Sequence, residues 1–101
     1  MEVEFKDKHL DRLEVDATAD SGSGYPPTAV KAYRKRMQLI RAAEDERDFK
    51  IFGAGNFEKL KGDRKHQYSM RLNDQWRLIL ELNRKSSQRV VVIVVGIEDY
   101  H

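Results

Sequence analysis

The chain has 101 residues, 40% of them hydrophobic and 36% charged, with no cysteine and a formal net charge of +2. That length predicts one domain, 1–101, with one small core; the missing cysteines exclude disulfides, thiolate metal sites and a cysteine nucleophile. No stretch approaches the ~20 apolar residues of a membrane span, and MEVEFKDKHL is too charged for the core of a signal peptide, so no membrane association and a reducing cytoplasm are the expectation.

Met1, Val3 and Phe5 alternate with Glu2, Glu4 and Lys6, which predicts a short strand with one buried face. His9, Leu10 and Leu13 fall at helical spacing and predict a short helix. Residues 16–27, DATADSGSGYPP, read as a loop. Pro26 and Pro27 stand where prolines are tolerated, at a helix start. Val30, Tyr33, Met37 and Ile40 then form an apolar stripe, so the main helix covers about 28–44, with Lys31, Arg34, Lys35, Arg36 and Gln38 largely facing away. DERDF adds a turn, and FGAGNF at 52–57 ends it with two glycines.

The remainder reads as sheet. Tyr68, Met70 and Leu72 share one parity; Trp76, Leu78, Leu80 and Leu82 share another. Both sets can face one core only if the connection has an odd number of residues, which makes Asn73-Asp74-Gln75 the natural hairpin loop. NRKSSQ, 83–88, is the next turn, and RVVVIVVGI, 89–97, is apolar on both parities, the pattern of a central strand covered on both faces. Strand, helices and then three antiparallel strands define an α+β fold: a small antiparallel sheet packed against N-terminal helices.

The charge is uneven. Residues 1–50 carry a net −1, residues 51–101 a net +3, and nine basic side chains stand against three acidic ones between Lys59 and Arg89. A basic half suits an anionic partner such as nucleic acid; a solvated charged surface is the other reading. The hairpin register sharpens this. If Leu72 opposes Trp76, then Arg71 opposes Arg77, and both point away from the core. Like charges across a strand pair are unfavourable. Two guanidiniums become favourable if a phosphate binds between them; the alternative is that both extend into water along diverging paths. KLKGDRKHQ, 59–67, adds Lys59, Lys61, Arg64, Lys65 and His66 beside this hairpin. It lacks Walker spacing, and the chain has no Gly-x-Gly-x-x-Gly. His9, His66 and His101 do not stand at metal-ligand spacing, no Ser-His-Asp signature is present, and no cofactor is expected. Glu98 and Asp99 are adjacent on a strand and should face opposite ways.

Such a set of groups suits RNA cleavage through the 2′-hydroxyl. That reaction needs a base for the 2′ proton, an acid for the leaving 5′-oxygen and cations for the phosphorane, and no metal. His101 titrates near neutrality and fits acid or base. Lys61, Arg71 and Arg77 fit phosphorane stabilisation. Tyr100 fits base stacking or proton relay, and Asp99 fits orienting His101 or taking a proton. A chain-terminal Asp-Tyr-His also fits an idle end.

LKGDRKHQYSMRLNDQWRLIL, 60–80, followed by IEDYH, 97–101, resembles the HigB group of the RelE/ParE superfamily, the plasmid-maintenance killer toxins of type II toxin–antitoxin systems. MEVEFKDKHLDRL, DERDF and GNFEKLKG are similar too, so the likeness covers nearly the whole chain. The resemblance implies a microbial-ribonuclease-like α+β fold and ribosome-dependent endonucleolytic cleavage of mRNA that halts translation. It implies a HigA-type helix-turn-helix antitoxin as partner, through which the complex binds operator DNA. It carries the family's functional positions onto Lys61, Asp99, Tyr100 and His101, with Arg77 as a phosphate contact; Arg71, Lys59, Arg64 and Lys65 complete the RNA-binding set. ParE-like gyrase inhibition, and a non-catalytic or attenuated toxin acting in the repressor complex, are the competing functions. The expectation for the end of the chain is a shared position: on the face of the sheet that carries Arg77, and near Lys61.

Overall fold

The computed structural model describes residues 1–16, 24–51 and 57–99, in the order β1 (Glu2–Phe5), α1 (Lys8–Val15), α2 (Pro27–Ala42), α3 (Asp48–Ile51), β2 (Glu58–Lys59), a 3-10 turn (Gly62–Arg64), β3 (Gln67–Arg71), β4 (Trp76–Ser86) and β5 (Arg89–Asp99). Most of the expected 16–27 loop and of the 52–57 break lie outside the described residues, as do Tyr100 and His101.

α1 starts where the Asp7 carboxylate accepts the His9 N–H at 2.8 Å, a side-chain N-cap. Its apolar pair, Leu10 and Leu13, is fully buried. Pro26 and Pro27 occupy the N-cap and first position of α2, and Ala29, Val30, Tyr33, Met37 and Ile40 form its buried stripe. Two of the arginines expected to face away are tethers instead. Arg34 donates to the carbonyls of Leu13 and Asp16 at 2.9 and 3.1 Å, satisfying the open end of α1, while Arg36 donates to the Arg71 carbonyl at 3.0 Å. The Tyr33 hydroxyl donates to the Leu10 carbonyl at 2.7 Å, so the phenol in the core is satisfied and its ionisation is pushed up by burial.

The five strands form one sheet in the order β1-β5-β4-β3-β2. The three-strand antiparallel unit β3-β4-β5 is as the sequence predicts. β1 adds to it in parallel, Glu2 opposite Val91 and Phe5 opposite Val94, so the complete sheet is mixed. Alternation in β1 says which of its faces is buried but not which strand it joins. The turn expected over 83–88 narrows to Ser87-Gln88, because Asn83 and Arg84 stay in register with Val91 and Val90; an exposed polar ladder has the composition of a loop.

The helices cover one face only. Leu10, Leu13, Val30, Tyr33, Met37 and Ile40 pack with Met70, Leu72, Leu78, Leu80, Val92, Val94 and Ile97. β5 therefore departs from the expectation of two covered faces: Val91 is buried on the other side, but Ile93 and Val95 are only half-buried. That open face carries Gln67, Ser69 and Arg71 of β3, opposite Glu81, Ile79 and Arg77 of β4, and its central pair, Ser69 and Ile79, is fully buried.

Val95 is a bulge. Leu80 pairs with Val94 and Ile79 with Gly96, so no β4 residue opposes Val95. Before it, Val92 and Val94 face the helices; after it, Ile97 does. One extra residue thus reverses the parity of the end of β5.

Candidate functional site

The turn before β3 is built by its glycine. Gly62 adopts φ +67°, in the left-handed region, with open space around it, so the backbone angle and not crowding calls for glycine. The Arg64 N–H then donates to the Lys61 carbonyl at 3.3 Å and the Lys65 N–H to the Gly62 carbonyl at 3.2 Å, closing the 3-10 turn, while the Leu60 N–H reaches the Gln67 carbonyl at 2.9 Å and leads the chain into the sheet. Lys61 and Lys65 flank this turn and are exposed.

The hairpin has the predicted three-residue loop. The Asn73 side-chain oxygen accepts the N–H groups of Gln75 and Trp76, both at 2.9 Å, and the Leu72 N–H donates to the Trp76 carbonyl at 2.9 Å. Arg71 therefore stands opposite Arg77, and Arg77 stands opposite Glu98 in β5. The two guanidiniums neither diverge into water nor stand bare. Arg71 donates to the Asn73 carbonyl at 3.2 Å and pairs with Asp74. Arg77 has the Glu98 carboxylate 3.5 Å away. A protein carboxylate thus neutralises each member of the like-charge pair.

Glu98 belongs still more closely to Arg64. The guanidinium bridges it in two bonds of 2.9 and 2.6 Å, and the Arg64 Nε donates to Gln67 at 3.0 Å. Each of the three nitrogens of Arg64 is engaged by a protein oxygen. The hydrogen bonds from Arg64, with the charges of Arg64 and Arg77, hold the Glu98 carboxyl below its ordinary range, and Glu98 in turn raises Arg64. The chain of contacts continues through Gln67 to Glu81 at 3.0 Å and on to Lys6 at 3.0 Å, with the exposed His66 ring 3.7 Å from Glu81.

The sequence-predicted site residues separate into three groups. Lys61 and Lys65 cap the 3-10 turn that contains Arg64, and Arg64 reaches the open-face row of Arg71, Arg77 and Glu98. Lys59 pairs with Tyr68, whose partner Leu80 faces the helices, so Lys59 lies at the sheet edge on the opposite parity from Arg71. Among the described residues, Lys59, Lys61 and Lys65 make no ion pair. Asp99 departs from expectation: it stands opposite Trp76, on the other parity from Arg77, and accepts a hydrogen bond from Gln75 at 3.1 Å. The Val95 bulge is the reason. Tyr100 and His101 fall outside the described residues. Glu98 and Asp99 face opposite ways, as predicted, but Glu98 is the one in the charged row. Sequence reasoning passed over it; the sequence offered two adjacent acids on the strand beside Arg77, and nothing in it marked which of them the bulge would turn toward the arginines.

A five-stranded sheet with helices on one face and a charged row on the other is the fold of a known class of small toxins. The YoeB/ParE toxin from Agrobacterium tumefaciens matches over 100% of both chains with a TM-score of 0.63 at 21% identity, which establishes the RelE/YoeB toxin fold. The family model described as "RelE-like toxin of type II toxin-antitoxin system HigB" matches residues 3–101. Toxin HigB-1 of Vibrio cholerae serotype O1 is 34% identical over 82 residues, spanning 80% of this chain and 83% of that protein. The chain belongs to the HigB-like toxin family. A type II system pairs its toxin with an antitoxin, so an antitoxin is its partner. Among the described residues no helix is long and apolar enough to cross a membrane.

Proposed function

We propose that this toxin is a ribosome-dependent mRNA endoribonuclease of the cytoplasm, held inactive by a HigA-type helix-turn-helix antitoxin. One observation supports this most. Segments far apart in sequence are linked on the open face: the Arg64 side chain ties the Lys61 turn to Glu98, Glu98 stands opposite Arg77, and Tyr100 and His101 follow it in sequence. Cations on a sheet, together with an Asp-Tyr-His sequence at the end of its last strand, are the groups that cleavage through the 2′-hydroxyl requires.

In this reading Lys61 and Arg77 hold the scissile phosphate, with Arg71, Lys59 and Lys65 on the flanking backbone. Asp99 and His101 share the proton work, one taking the 2′ proton and one protonating the 5′-oxygen, with Asp99 reaching the phosphate around the end of β5 because it stands on the Trp76 side of the strand. The 2′-oxygen attacks phosphorus, the 5′-oxygen leaves, and a cyclic phosphate remains. Tyr100 positions the nucleotide. Fixed positive charge matters because the phosphorane carries more negative charge than the ground state.

The test is cleavage of mRNA on purified programmed ribosomes, read by mapping new 3′ ends. Removal of Asp99–His101 is expected to lower the rate by ~100-fold or more, and Lys61→Ala by about the same. Wild-type rates in the truncated chain would remove the assignment. Gyrase inhibition without cleavage would point to a ParE-like toxin, and neither activity to a repressor-complex role.

A further inference from the structure

The Arg64–Glu98 pair spans 34 residues and joins the two halves of the site. The turn carrying Lys61 has few other restraints. Its internal hydrogen bonds are long, at 3.2 and 3.3 Å, and β2 before it pairs through two residues only, Glu58 with Ser69 and Lys59 with Tyr68. Glu98 lies one residue before the end of β5. Because Arg64 spends two nitrogens on Glu98 and the third on Gln67, its donors are directed into the protein.

We propose that Arg64 and Glu98 are positioning residues, whose bidentate pair straps the Lys61 turn to the end of β5 and fixes the place of Lys61 relative to that strand end. This rests on reading Lys61 and Asp99–His101 as the cleavage site. Magnitudes separate it from a stability role. Both side chains are more than a third exposed, so the pair contributes little to folding. Displacement of a reacting group by about 1 Å, by contrast, costs ~100-fold in rate. The strap should therefore appear in turnover and not in melting.

The experiment compares wild type, Glu98→Gln, Arg64→Gln and the double swap Arg64→Glu/Glu98→Arg on programmed ribosomes, with amide hydrogen exchange on each free protein. Each single variant should lose at least ~tenfold in kcat, with KM for ribosomes and its salt dependence unchanged. The swap should recover part of that loss, and exchange across Lys61–His66 should quicken in the single variants while the urea midpoint stays near wild type. A wild-type kcat in Glu98→Gln overturns the proposal. So does a raised KM in Arg64→Gln with a salt slope reduced by about one, the mark of a phosphate contact. If the wild-type protein does not cleave, the reading of the site fails, and hydrogen exchange decides the strap alone: unchanged exchange across Lys61–His66 in Glu98→Gln overturns it.

Discussion

The two faces of the sheet are made from the same strands and do different work. In β4, Leu78 and Leu80 turn toward the helices and are fully buried among Tyr33, Met37 and Met70. Their neighbours Arg77 and Glu81 turn the other way, into a network that runs from Lys6 through Glu81, Gln67, Arg64 and Glu98 to Arg77. Two-residue alternation thus divides the strand between an apolar face and one where Arg77 and Glu81 flank a single buried apolar residue, Ile79. Apolar burial gives the first face its stability; the charged groups of the second, partly exposed to water, contribute position and field more than folding energy.

The sharpest way to break this comparison is on the covered face. Leu78→Ala should cost about 2–5 kcal/mol in urea unfolding, because the surrounding side chains relax only partly into the space left. A loss as large from Arg77→Ala or Glu81→Ala would show that the division is wrong. Tyr33→Phe removes the hydroxyl that meets the Leu10 carbonyl and should cost about 1 kcal/mol, measured the same way.

A smaller effect should come from acid. Glu81 is held below its ordinary 4.5, chiefly by the Gln67 hydrogen bond with help from Lys6, and Glu98 is held down chiefly by Arg64. A carboxyl depressed in the folded state stabilises the fold above its unfolded pKa and loses that contribution as pH falls through the folded value. The urea midpoint should drop as pH passes below 4.5, and the drop should be shallower in Glu81→Gln. The smallest effect belongs to Lys6→Met. The Lys6 side chain is 54% exposed beside Glu81, so the substitution should cost less than about 1 kcal/mol and shrink further in high salt.

Much of the fold was readable because its signals are local. The stripe of Val30, Tyr33, Met37 and Ile40 lies within one helix, and the hairpin through Asn73-Asp74-Gln75 needs only a parity argument between strands three residues apart. That argument put Arg71 opposite Arg77, and the sheet agrees. The tethers were not readable. Arg34 and Arg36 look like solvent-facing cations on the helix, yet each finds a carbonyl on another element. Nor was the place of β1, since its alternation suits any neighbour with one apolar face.

The end of the chain shows where the division falls. The sequence by itself determined that a long apolar strand leads into Glu98, Asp99, Tyr100 and His101, and that Glu98 and Asp99 point apart. Tertiary structure alone decided which of the two joins the arginines. A bulge forms where the partner strand leaves a residue unpaired, and Val95 looks no different in sequence from the valines before it. That one unpaired residue turns Glu98 toward Arg64 and Arg77 and sends Asp99 to the side of Trp76.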